Sequence, residues 1–184
     1  MIDREDALEL LEENLQNENL VKHCLASEAV MRKLAGDKGR DPQVWGLTGL
    51  LHDLDYSLTS EDPSRHGIAA AEMLEGQLPE ESLRAIKAHN QEYTGVERES
   101  DLEHLLAAAE SLTGLIVAVA LVYPGKKLAP VKVKSVTKRM CMTAFARSVP
   151  RETIRECEKA GYEIREFAEL ALEAMKEISD DLGL

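Results

Sequence analysis

Nowhere along these 184 residues does hydrophobicity alternate residue by residue for longer than Val131-Lys-Val133. A half-buried strand needs an apolar side chain at every second position, because successive side chains point to opposite faces of a sheet. The chain instead repeats its apolar residues at intervals of three and four, the spacing of one helix face. Ala7, Leu8, Leu11 and Leu15 form one such stripe, and Val21, Leu25, Ala29 and Leu34 form another. Aromatic residues are only 4% of the chain, while Leu, Ala, Glu, Lys and Met are common, which favours helices further. The predicted fold class is all-α.

Caps and breakers divide this pattern. A first helix is expected from about residue 3 to 15. Asn19 reads as the N-cap of a second, running to Gly36. Asp41-Pro42 starts a third, which carries Val44, Leu47, Leu50 and Leu51 and ends near His52-Asp53, with Trp45 in the core. Residues 56–64 are polar and read as the longest loop of the first half, placed where they could cover whatever lies between His52 and His66. Helices follow over about 65–75, 79–90 and 100–122, with Pro79 at a first-turn position. Pro124-Gly125 breaks the chain. Further helices are expected over about 134–146, from Pro150 to about 160, and over about 162–181. The last carries Ile164, Phe167, Leu170, Ala171, Ala174 and Ile178, apolar enough to pack on the domain or on a second copy, so a monomer and a homodimer both fit. With no repeat and no low-complexity tract, residues 1–184 read as one domain.

Several function classes are disfavoured. The most apolar stretch, about residues 112–123, falls short of the about 20 residues a membrane-spanning helix needs and reads as a buried central helix. The N-terminus, MIDREDALELLEEN, is acidic and amphipathic rather than a secretory signal. Cys24, Cys141 and Cys157 are widely spaced and odd in number, as for ordinary thiols in a reducing cytosol, so a cytoplasmic protein without a membrane partner is expected. A net charge of −12 argues against nucleic-acid binding.

The charge is nonetheless uneven. Residues 121–151 carry eight basic and no acidic side chains: Lys126, Lys127, Lys132, Lys134, Lys138, Arg139, Arg147 and Arg151. Such a segment is either a solvated face that balances acidic neighbours or a patch that draws in a phosphate-bearing ligand. Lys134 and Lys138 share a helix face at i, i+4 and are the first choices for substrate contacts.

The residues that carry chemistry form an ordered series: His23, the pair His52-Asp53, His66, His89 and then Glu110. Apart from the adjacent pair, each comes from a different predicted helix, which is how helical bundles assemble internal metal sites. Imidazole and carboxylate together suit divalent iron, manganese, cobalt or zinc. His104, beside Asp101 and Glu103, reads as a solvated residue on a polar helix face.

The order His…His-Asp…His…His…acid resembles the HD-domain phosphohydrolases, an all-helical superfamily of metal-dependent phosphomonoesterases and phosphodiesterases. The resemblance covers about residues 19–122 and includes Leu-His-Asp-Leu, His-Gly-x-x-Ala-Ala and Ala-Glu110-Ser-Leu-Thr-Gly-Leu-Ile, with residues 123–184 outside it. It implies that His23, His52, Asp53 and Glu110 bind one metal. It further implies that Asp53 bridges to a second ion held by His66 and His89, the competing view being that these two histidines contact substrate phosphate. The cofactor would be one or two ions of Fe, Mn, Co, Zn, Ni or Mg, and Asp53, His66 and His89 would be the catalytic residues.

Two features depart from the pattern. Glutamate stands at 110 where the family usually has aspartate. After His89 the chain reads Asn-Gln-Glu-Tyr-Thr-Gly, without the Gly-Tyr-Pro of the cyclic-dinucleotide phosphodiesterase branch. Small single-domain members, among them symmetrical dinucleoside-tetraphosphate hydrolases, are the closer match.

The implied reaction is hydrolysis of a nucleotide or other small phosphate mono- or diester. A divalent ion can lower the pKa of bound water to about 7, making hydroxide available at neutral pH. Asp55 and Lys87 are the candidates for protonating the leaving oxygen, Lys87 also for contacting substrate. The alternative is a metal-binding nucleotide sensor of the same fold that has lost catalysis.

Overall fold

The computed structural model describes residues 1–184 and contains helices, turns and no strand. The helices are α1 (Arg4–Asn14), α2 (Glu18–Asp37), α3 (Pro42–Leu51), α4 (Tyr56–Thr59), α5 (Ile68–Met73), α6 (Glu80–His89), α7 (Gln91–Thr94), α8 (Asp101–Leu121), α9 (Val133–Met140), α10 (Arg151–Ile154), α11 (Ile164–Glu177) and α12 (Ser179–Leu182). Short 3-10 turns occupy Pro63–Arg65 and Arg155–Glu158. This is the all-α bundle expected from the periodicity.

Side-chain caps set most of the long helices' starts by accepting the otherwise unpaired first-turn N–H groups. Asp3 accepts from Asp6 N, and Asp41 accepts from Gln43 N and Val44 N with Pro42 directly after it. The N-cap of α2 is Asn17 rather than Asn19, whose own N–H donates to the Asn17 side chain. Ser100 and Glu103 form a reciprocal capping box at the start of α8.

Other boundaries differ from expectation. The stretch 56–64 is a one-turn helix and a 3-10 turn rather than an open loop. The helix expected over 134–146 ends at Met140, and the one expected from Pro150 is α10 followed by a 3-10 turn. Near-continuous turns satisfy the backbone there without a long apolar stripe.

Helix α8 is the central element. By length and composition it could cross a membrane, but 72% of its most apolar window is buried inside the fold. Leu105, Leu106, Leu115, Ile116 and Val119 are all fully enclosed. Burying each such side chain contributes about 1.5–3 kcal/mol, so α8 holds the bundle together. Trp45 is buried as expected.

Two apolar clusters make up the core. One gathers α8, α11 and the inner face of α2, and the other gathers α1, α3 and α5. Helix α2 contributes Val30 to the first and Cys24 to the second; α6 contributes Ala85 to the first and Ile86 to the second. These two spanning helices carry His23 and His89.

Candidate metal centre

Two glycines bring the ligand-bearing segments into contact. A Cβ on Gly49 would stand 2.8 Å from the backbone oxygen of Ser27, so α3 lies against α2 only because this residue has no side chain. That approach brings His52, the C-cap of α3, beside His23. Gly67, at φ +85°, lets the chain turn from His66 into α5, and a Cβ there would meet Ile86 O at 2.6 Å. His66 is thereby held against the last residue of α6, His89.

The four imidazoles surround one carboxylate. Asp53 Oδ1 lies 3.3 Å from His52 Nε2, 3.2 Å from His66 Nε2 and 3.5 Å from His89 Nε2, while Oδ2 lies 3.7 Å from His23 Nε2. Two groups of three have ligand atoms close enough to hold an ion: His23, His52 and Asp53, and Asp53, His66 and His89. Asp53 belongs to both.

The outward nitrogens fix the tautomers. His52 Nδ1 donates to Gly49 O (2.9 Å), His66 Nδ1 to Asp55 Oδ1 (2.8 Å) and His89 Nδ1 to Ile86 O. The Thr113 hydroxyl donates to Glu110 O, so it can accept from His23 Nδ1 at 3.4 Å. With Nδ1 so committed, each ring turns its Nε2 toward Asp53, the nitrogen that a neutral ring offers to a metal. His52 Nε2 is buried without any hydrogen-bond partner, a costly state for a polar atom. Donors that share one ion at about 2.1 Å stand about 3.0–3.4 Å apart, close to the separations found around Asp53 Oδ1. The residues fit a divalent ion.

Protonation follows the same geometry. Burial lowers the pKa of His52 to about 3, leaving its ring neutral. Burial opposes ionisation of Asp53, but the surrounding imidazoles outweigh it and hold the carboxyl well below its usual range. Burial also opposes charge on His66, yet its hydrogen bonds to Asp53 and Asp55 favour the doubly protonated ring and lift it to about 10, so an ion binding here would displace the Nε2 proton. Burial raises Glu110.

The HD domain family matches residues 20–120, more than half of the chain and the stretch that contains every one of these side chains. The chain belongs to the HD-domain family. Its members are in general metal-dependent hydrolases. Comparison with curated proteins returned no match, and comparison with solved structures returned none.

In this HD-domain protein Glu110 stands at the rim, outside both groups of three. Its Oε2 lies 4.0 Å from His23 Nε2, and its Oε1 accepts a hydrogen bond from Ser111 Oγ at 2.6 Å. Asp55 is neither a surface acid nor a free proton donor. It is fully buried, and its oxygens accept from His66 Nδ1, Gly67 N and Ala70 N at 2.8, 2.8 and 2.9 Å. It orients His66 and caps α5 from outside that helix.

A cleft of about 240 Å³ opens onto Asp53, His66, His89 and Glu110. Tyr56, edge-on to His66 with ring centroids 5.5 Å apart, lines it, as do Asn90 and Arg98. Asn90 Nδ2 donates to His66 O and Pro63 O, tying the two histidine segments together. The expected substrate-contacting lysines lie elsewhere. Lys87 does not line this cleft, and Lys134 and Lys138 line a separate one with Tyr123 and Pro124. His104 is not solvated: it is buried, and its Nδ1 pairs with Glu156 Oε2 at 2.7 Å, an acid 52 residues further on. Arg98 and Asn90 escaped sequence reasoning because each stands in a polar stretch like any surface segment.

Proposed function

We propose that this HD-domain protein is a metal-dependent phosphohydrolase acting on a nucleotide or other small phosphate ester. The single observation that carries this reading is the convergence of four Nε2 atoms on Asp53, open to a cleft on one side. His23, His52 and Asp53, with Glu110 at the rim, would hold one ion. Asp53, His66 and His89 would hold a second. Ions bound there would polarise a phosphoryl oxygen and supply hydroxide at neutral pH.

The chain's own residues prepare this chemistry. Asp55 and the carbonyls of Gly49 and Ile86 lock three of the rings with Nε2 inward. Asp53 stays ionised across the neutral range because the imidazoles around it favour its charge. The enclosure of His52 and Asp53 strengthens every charge interaction at the floor of the cleft.

The test is metal analysis of the purified chain followed by phosphate release from a panel of nucleotides and p-nitrophenyl phosphate with Mn, Fe, Co, Ni, Zn or Mg. Metal-dependent turnover that is lost in His52→Ala and Asp53→Ala is expected. Tight metal binding without turnover on any of these would overturn the enzyme reading in favour of a sensor. A metal-free protein would overturn both.

A further inference from the structure

We propose that Arg98 binds the phosphoryl oxygen that the histidine–aspartate groups leave free, and that the chain therefore selects phosphomonoesters over phosphodiesters. This rests on the phosphohydrolase reading above.

Arg98 is the one lysine or arginine lining the cleft that contains Asp53, His66 and His89. It is firmly placed: Nε donates to Ala88 O at 2.9 Å and Nη2 to His89 O at 2.6 Å. These are carbonyls of the last turn of α6, which lack helical partners and attract a cation. The guanidinium is thus tethered to the backbone of His89 itself. Its third nitrogen, Nη1, has no hydrogen-bond partner in the protein, and the nearby carboxylates act on the group only at a distance. Burial opposes its charge and outweighs Glu156, Glu110 and Glu92, which favour it without a direct ion pair, so this half-buried cation lacks a contacting anion. The planar donor fork of arginine suits phosphate, and a charge-assisted bond to an anion is about twice as strong as a neutral one.

The count of oxygens then decides the substrate class. The transferred phosphoryl group of a monoester has three non-bridging oxygens, and that of a diester has two. If each of the two groups of three held one ion and each ion took one of these oxygens, a monoester would have one left for Arg98 and a diester none. The cleft volume, about 240 Å³, is below the about 300–1,000 Å³ typical of sites that enclose a whole drug-sized ligand. It suits a phosphoryl group whose ester portion extends outside the cleft.

The experiment compares Mn-loaded full-length wild type, Arg98→Gln and Arg98→Lys. Turnover is measured on p-nitrophenyl phosphate and bis(p-nitrophenyl) phosphate, and binding of inorganic phosphate and dimethyl phosphate is measured by calorimetry. Wild type is expected to bind inorganic phosphate at least about tenfold more tightly than dimethyl phosphate, a comparison that needs no variant. In Arg98→Gln, kcat/KM on the monoester should fall about 10–100-fold and on the diester by less than about threefold, with metal content unchanged and partial recovery in Arg98→Lys. Equal losses on both esters, or inorganic phosphate bound equally by wild type and Arg98→Gln, would overturn the proposal. If no ester is hydrolysed at all, the phosphohydrolase reading fails, and the calorimetry still decides whether Arg98 holds phosphate.

Discussion

His66 Nε2 and His89 Nε2 face one another at 3.1 Å, each on a ring whose Nδ1 proton is committed to another acceptor. Two lone pairs at that distance repel unless a cation or a shared proton lies between them. Asp53 Oδ1, 3.2 and 3.5 Å from the same two atoms, adds negative charge to the gap. This half of the centre is built for positive charge.

Removing one ring should therefore separate the two halves. His66→Ala is expected to lower the bound metal from about two ions to about one per chain, because His23, His52 and Asp53 remain in place. Asp53→Ala should lose both. Metal analysis after gel filtration checks the count, and equal stoichiometry in His66→Ala and wild type would show that His66 is not a ligand.

Asp55→Asn tests orientation without removing any ligand. The one side-chain oxygen left in this variant could still accept from Gly67 N and Ala70 N, but the new amide group would then donate to His66 Nδ1. The neutral His66 ring would then keep its one proton on Nε2, the nitrogen an ion needs. Affinity for the second ion is expected to fall about 10–100-fold. Isothermal titration with Mn measures it, and an unchanged affinity would remove Asp55 from the account.

Gly67→Ala should be among the more damaging small substitutions. It combines a left-handed backbone with a Cβ placed 2.6 Å from Ile86 O, neither of which a rotamer change can relieve. A loss of about 1–3 kcal/mol is expected from the backbone conformation alone. Thermal denaturation with and without metal would show it, and the metal-dependent increment should shrink because His66 is displaced from His89.

Glu103 carries a pH-dependent share of stability. Burial opposes its ionisation, but the N–H groups of Glu99 and Ser100 and the guanidinium of Arg84 outweigh that and lower its pKa. A carboxyl lowered on folding stabilises fully above its unfolded value, near 4.5, and that contribution disappears as pH falls through the lower folded value. Glu103→Gln should cost about 1 kcal/mol at pH 7 and converge with wild type at acid pH. Urea denaturation across pH 3–7 measures this, and a difference independent of pH would contradict it.

Local signals made much of this protein legible. Asp41-Pro42 announced α3, and the spacing of the histidines placed each on its own segment. Positions decided by distant partners were not legible. Lys134 and Lys138 were visible as part of a basic run, but charge alone does not say which way a helix turns, and α9 directs them to another cleft. His104 sits among acids in sequence, yet α8 is buried on almost every side, and Glu156 arrives from the far side of the chain. Arg98 gains its place only when the stretch after α7 folds back onto the end of α6.

The most direct test of the shared carboxylate is anomalous diffraction from crystals grown with Mn. Two peaks are expected, one beside His23 and His52 and one beside His66 and His89, with Asp53 as the common ligand. Density that leaves His52 Nε2 without a metal neighbour at saturating Mn would contradict the account.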